Sequence, residues 1–478
     1  MQQKSIAKNT AFITSALIMQ KVFSFVYFTL IARHIGAEGT GKYFFALSFT
    51  TIFVVFIDLG LTQVLIREGS KSKEKLQKYF SSVIFSKIFF AILTYIAAVV
   101  TIKLMGYSIE TKHLVYLSAV TMIFDSLHLT IYGILRAIGN LKYEAIGIVG
   151  SQLLTLILGT TFLYLNFPLI YLIAAFTIPS FLNLIYAATI LYKKYHLSLK
   201  PTFDREVMKF FASIAVPFAL AAVFARVYSY IDSILLSKLL GDAEVGWYSI
   251  PYKITYSFQF IPLALMAALY PRFSEYFVTN KERLAYIFER GMKYLLIMVF
   301  PVVVGIGILS RDIILSIYTE EYVNSIMPLK ILLLGLVFSY MSFPIGAFLN
   351  ACNRQVTQTT IVFFVMVINI VLNLTLIPIY GVSGAAIAAL VGNLILTTVG
   401  YMIIPRITKI SHSFILKTIL QLAIATFVMG LAVYYTNLNY HYTVAILAGA
   451  ITYPIMLFVT RSITKEQIVE AVQLVRKS

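Results

Sequence analysis

Lys21 and Arg226 are the residues through which this sequence could do chemistry, because each places a positive charge mid-way along an apolar, helix-length segment. They are also related to each other. Lys21, Arg33, Gly36, Gly41 and Tyr43 meet Arg226, Lys238, Gly241, Gly246 and Tyr248 at a constant shift of 205, which also carries Arg67 onto Arg272. Three of the four basic residues between Ala11 and Arg67 thus fall on a basic residue, where 38 in 478 would give about a third of one match by chance. What repeats is a cation inside an apolar segment. A charge at the centre of a bilayer costs at least about 3 kcal/mol and is normally aimed at a cavity or a partner. Lys21 and Arg226 are therefore read as cavity-facing functional cations, with a structural pair to an acid such as Asp125 as the alternative for Lys21.

The remaining intramembrane polar residues divide by position. Lys253 and Lys87 lie nearer an end of their segments, so snorkelling competes with a place in the cavity, and Lys330 is interfacial. Asp125 is central in its segment with His128 and Tyr132 on the same helical face. It suits a proton or sodium site as well as it suits the counter-ion of Lys21. Asp58 precedes Gly60 and leads to Arg67, a pattern that shapes a helix end, and Asp232 lies near the outer end of its segment. Asn369 and Asn373 repeat on one face and are placed along a cavity. No glutamate is central in any segment, which leaves Asp125 as the carboxylate through which a proton or sodium gradient could couple. Neither a metal site nor a cofactor is expected.

The elements that must hold these residues are membrane helices. The chain is 60% hydrophobic and 12% charged with a mean hydropathy of +0.87, far beyond a soluble domain. A hydrocarbon core of about 30 Å takes roughly 20 helical residues, and fourteen runs qualify: 11–33, 43–66, 79–102, 113–135, 144–165, 169–192, 211–235, 247–270, 294–315, 326–349, 359–379, 384–404, 416–436 and 441–460. Unbroken runs of this length exclude a barrel. The first is read as a span and not as a cleavable signal. With span-end residues counted in the adjoining loop, 27 of the 38 basic residues fall on one side, six on the other and five inside spans. Short cytoplasmic loops collect Lys and Arg, so both termini are expected in the cytoplasm and the protein in the plasma membrane. The net charge of +18 is then a topology signal and an attraction to lipid, with no call for nucleic acid. The longest loops, 193–210 and 271–293, are both cytoplasmic. Leu284, Ile287 and Phe288 recur at helical spacing in the second, as do Ile468, Val469, Val472 and Val475 in the tail, and both are expected to lie as amphipathic helices on the inner leaflet.

A second distinctive stretch runs from Asn373 to Asn393. Pro378 and Gly381 break the chain for a tight turn, and Gly384, Ala385, Ala388 and Gly392 present small residues for close helix packing. Taken with Ala32-Arg-His-Ile-Gly-Ala-Glu-Gly-Thr-Gly-Lys-Tyr43 and Asp58-Leu-Gly-Leu61 leading to Arg67, it makes the chain resemble the multidrug/oligosaccharidyl-lipid/polysaccharide exporters, within them the polysaccharide transporters of Wzx type. The resemblance covers nearly the whole chain. It implies two six-helix lobes, 1–192 and 211–404, joined by a linker at 193–210, with two further helices in 405–460 and a cytoplasmic tail at 461–478. It implies alternating access and a substrate, an undecaprenyl- or dolichyl-linked oligosaccharide flipped to the outer face, with glycosyltransferases and a polymerase as partners. A pyrophosphate crossing hydrocarbon needs cations that stay charged, which Arg226 supplies and Lys21 can supply.

Two other transporter functions stay open. A peptidoglycan-precursor flippase is close to the first reading. A drug or metabolite antiporter of the same superfamily is less suited, since a cationic drug would want central acids. An enzyme is disfavoured, because no outer loop is long enough for a catalytic domain and no paired-carboxylate motif lies beside a helix end.

Overall fold

In the computed structural model residues 2–463 are described, and among them every regular element is helical. The tail helix expected around Ile468 to Val475 lies outside the described residues. In order the helices are α1 (Gln2–Asp58), α2 (Leu61–Lys71), α3 (Leu76–Leu104), α4 (Ile109–Ile138), α5 (Lys142–Tyr164), α6 (Ile170–Tyr195), α7 (Arg205–Leu239) and α8 (Asp242–Ser257). They continue as α9 (Phe260–Thr279), α10 (Lys281–Ile308), α11 (Ser310–Ile317), α12 (Ile326–Ala351), α13 (Gln355–Tyr380), α14 (Val382–Ile403), α15 (His412–Asn439) and α16 (Tyr442–Val459).

Among the described residues thirteen stretches are long and apolar enough to cross a membrane, and the first, Phe12–Asp58, has 47 residues. At 1.5 Å per residue it would be about 70 Å long, more than two bilayer cores. It therefore crosses twice. Gly36 (φ 68°, ψ −176°) is the single non-helical residue inside α1, in a region open to glycine and closed to most side chains. Fourteen crossings result.

The repeat seen in the sequence is also a repeat of elements. A shift of 205 carries Leu76–Leu104 onto 281–309, and α10 occupies Lys281–Ile308. It carries the Gly36 break onto Gly241, again at positive φ (140°). Beyond α10 the register slips, because α11 and a short 3₁₀ turn, Glu320–Ser325, are inserted before α12. The order of the elements still repeats, and α15 and α16 stand outside it.

Several boundaries differ from the hydropathy reading. The second span stops at Asp58, since Leu59 (φ 43°) and Gly60 (φ 77°) turn the chain before α2. The segment around Leu284 is not a strut on the leaflet: Asn280 breaks the chain, and Leu284 and Phe288 are fully buried in the first turns of α10, Phe288 against Phe348 at 5.2 Å. The turn after α13 comes at Gly381 (φ 59°), with Pro378 inside the helix.

The chain forms two compact units that divide after Gly246. The expected linker is a strap within the first: Gln77 bonds the Ser198 carbonyl (2.9 Å) and Thr202 N donates to the Ser81 carbonyl (3.2 Å), which ties it to α3. In this unit α7 packs against α1, and a core from α2, α3, α4, α6 and α7 includes Leu65, Val83, Leu135, Leu191 and Phe211. In the second, α12 packs on α10 and α14, and α15 on α10 and α16.

Candidate functional site

Lys21 stands on α1 and Arg226 on α7, and these two helices pack in the first unit. Lys21 is half-buried and Arg226 exposed, so neither is absorbed into a core. Their surroundings are closely packed. Below Lys21, Tyr27 is buried and donates to the Leu172 carbonyl (3.1 Å), its ring filling the space a side chain at Gly159 would need. Toward the repeated turn the approach is backbone to backbone: a Cβ on Gly41 would fall on the Asp242 carbonyl, and one on Gly246 would fall on the Ala37 carbonyl. Equivalent glycines of the two repeats thus meet each other. Tyr43 and Tyr248, also equivalents, are both fully buried. Lys253 is half-buried on α8 in the second unit, next to the stacked rings of Tyr252 and Tyr256 (5.7 Å, 9°).

Lys87 does not join them. Its side chain is 1% exposed and its ammonium is 2.6 Å from the Asp58 carboxylate. It also donates to Thr62 Oγ1 (2.9 Å), to Ser126 O and Oγ (both 3.1 Å) and to Thr130 Oγ1 (2.6 Å). The expectation of a cavity cation gives way to a buried knot tying α1, α2, α3 and α4. Asp58 does shape the helix end, accepting from Thr62, but it is equally the counter-ion of Lys87.

Asp125 is held by neither lysine. It accepts from Ser180 Oγ (2.6 Å) and lies 3.7 Å from His128 Nδ1, so its role as counter-ion of Lys21 is not what the structure places. One turn further, Tyr132 donates to Asn183 Oδ1 (2.5 Å), and the next turn brings Arg136 against the fully buried Glu144, Nε to Oε2 at 2.8 Å. A row of polar groups therefore runs along α4 against α5 and α6, beside a cavity of about 200 Å³ lined by Gly147, Ser151, Asn183 and Tyr186. Ser180, Asn183 and Glu144 escaped the sequence reading. The signal available for Glu144 was its place eight residues after Arg136, across the turn at Gly139.

Asn369 and Asn373 are fully buried, and Asn373 Nδ2 donates to the Asn369 carbonyl (2.9 Å). They belong to packing inside α13 and not to an open cavity. Gly384 faces the Leu376 carbonyl, so the small-residue stretch is likewise packing. Among the described residues no group of acids, histidines or cysteines is arranged to hold a metal.

This repeated helical scaffold has known counterparts. A family model described as "Polysaccharide biosynthesis protein" matches residues 6–277, and a second, MatE, matches 217–375. The chain belongs to the polysaccharide biosynthesis protein family. Among its relatives, the "Putative O-antigen transporter" of Shigella flexneri is 25% identical over 408 residues, 80% of this chain and 94% of that one. The "Probable flippase AglR" of Haloferax volcanii is 30% identical over 168 residues, 34% of this chain and 35% of its own. A solved "Lipid II flippase MurJ, inward closed conformation" superposes with a TM-score of 0.75 at 20% identity, covering 94% of this chain and 98% of that chain. That likeness fixes the fold. Members of this family are transporters and not enzymes.

Proposed function

We propose that the protein flips a polyprenyl-(pyro)phosphate-linked oligosaccharide across the cytoplasmic membrane for surface polysaccharide synthesis. Family membership, with relatives named as an O-antigen transporter and flippases, supports the substrate class. The observation that carries the mechanism is the pair of repeat-equivalent cations, Lys21 and Arg226, on two packed helices and outside any core. A pyrophosphate keeps its charge in hydrocarbon only where fixed cations replace its hydration, and a charge-assisted contact contributes about 1.5–3 kcal/mol. Lys253 is a separate candidate cation on the second unit. A peptidoglycan precursor carries the same pyrophosphate, so the glycan decides between the two, and glycosyltransferases and a polymerase are the expected partners of the first. Alternating access follows from the repeat. Asp125, beside His128, is the group through which a proton or sodium gradient would act.

In proteoliposomes, Lys21→Gln with Arg226→Gln should lower flipping of lipid-linked oligosaccharide at least about a hundredfold, tenfold for each lost contact, while abundance and melting temperature stay at wild-type values. Wild-type flipping by the double variant would overturn the assignment. Asp125→Asn should leave flipping unchanged when an imposed gradient is collapsed, where the wild type slows. Equal rates in the wild type with and without the gradient would remove Asp125 from coupling.

A further inference from the structure

Lys293 and Arg290 are three residues apart on α10 and both stand over the ring of Phe414, at 5.9 and 5.5 Å from its centroid. Lys293 is only 7% exposed, and Arg290 is half-buried. Neither has a carboxylate within ion-pair distance among the described residues. The acid that could have served, Glu289, is committed elsewhere, its Oε1 accepting from Ser411 N at 2.6 Å.

Phe414 belongs to the first turn of α15, which Ser411 caps by accepting from Phe414 N (3.2 Å). The positive end of that helix adds to the two cations. Two cations held side by side without a carboxylate repel each other, and an aromatic face returns only about 0.5–2 kcal/mol. The site is therefore built for an anion. Two further features say what carries it. Tyr286 (57% exposed) and Tyr294 (39%) flank the cations, as aromatic residues do at headgroup level. Deeper between the same helices, an apolar groove of about 540 Å³ is lined by Phe300, Val304, Leu334, Phe427 and Leu431. Phe300 lies two turns from Lys293, roughly 10 Å toward the bilayer centre.

We propose that Lys293, Arg290 and the first turn of α15 bind the phosphate of an anionic membrane phospholipid whose acyl chain enters the groove between α10 and α15. This lipid is a resident of the transporter and not its cargo. The phosphate neutralises the two cations that stand over Phe414.

The test compares unfolding midpoints of the full chain in nanodiscs of phosphatidylcholine alone and with phosphatidylglycerol added, and counts retained lipid by native mass spectrometry. Phosphatidylglycerol should raise the midpoint of the wild type and of a control with Lys281→Gln and Arg283→Gln, which removes the same charge from the exposed start of α10. In Lys293→Met with Arg290→Gln the rise should vanish and lipid binding weaken about thirtyfold, two basic residues at about 1 kcal/mol each. Arg290→Gln alone, at a half-buried position, should weaken it about fivefold and carries the test should the double variant fail to fold. An undiminished response in these variants, or an equal loss in the control, would overturn the proposal. So would inorganic phosphate giving the full rise in phosphatidylcholine alone, since the anion would then need no lipid.

Discussion

Two lysines separated by 66 residues show how surroundings divide one chemistry into two roles. Lys21 is only half-buried, whereas Lys87 is enclosed and faces Asp58, two threonines and a serine. Removing one partner of an enclosed ion pair leaves the other charge unpaired, at about 3–5 kcal/mol, whereas replacing both by apolar or neutral groups is often close to harmless. The penalty should be lopsided here, because Asp58 has 31% of its side chain exposed and water can take over its solvation. Asp58→Asn is therefore expected to cost the larger amount, about 3 kcal/mol, and Lys87→Met about half of it. The double variant should recover most of the loss. Thermal unfolding of the four proteins reads this directly, and additive losses would show that the two residues act separately. Flipping per folded molecule should persist in the double variant, which Lys21→Gln does not allow.

At the scale of helices, what matters is where backbones touch and where the chain turns. Gly246 leaves no room for a methyl group against the Ala37 carbonyl, while Gly305 and Gly307 on α10 look onto open space. Gly246→Ala must push the start of α8 away from α1 and should lower the melting temperature and slow flipping. Gly305→Ala should be neutral or stabilising, since alanine is favoured over glycine in a helix interior by up to about 1 kcal/mol. A harmless Gly246→Ala would mean the two turns are looser than they look. The start of α7 adds a pH dependence. Lys78 at 2.8 Å, and after it the Val207 N–H at 2.9 Å, hold the Asp204 carboxyl below its usual range. Its charged form is thus favoured by folding, so the cap is complete above the ordinary carboxylate pKa of about 4 and is lost as pH falls through the lower folded value. Hydrogen-exchange protection of the first turn of α7 should drop on acidification in that window, and Asp204→Ala should abolish the step.

For the whole molecule, hydropathy alone was enough to count the crossings, because each apolar run answers to one bilayer thickness. It could not find the turn at Asp58 or the merger of α1 across Gly36, since one residue at positive φ leaves no trace in an average over twenty. The Asp58–Lys87 knot was hidden for another reason: periodicity relates residues on one helix, and this pair sits on two. Lys21 and Arg226 stand out in the sequence because the chain repeats them, and the role proposed for them is for the flipping assay to decide. The sidedness of the bundle rests on the asymmetry of 27 against six basic residues and makes the last prediction. With fourteen crossings, the loop containing Ser198 and both termini should share the cytoplasmic face, and Asn166 should lie outside. The chain suits cysteine labelling, because its single Cys352 is 2% exposed and burial pushes the thiol up to about 11, leaving little thiolate at neutral pH. In intact cells a membrane-impermeant maleimide should therefore label Asn166→Cys and spare Ser198→Cys and the parent protein. After the membrane is opened, Ser198→Cys should react as well. Labelling of Ser198→Cys from outside would invert the topology, and with it the direction in which the paired cations first meet a lipid-linked glycan.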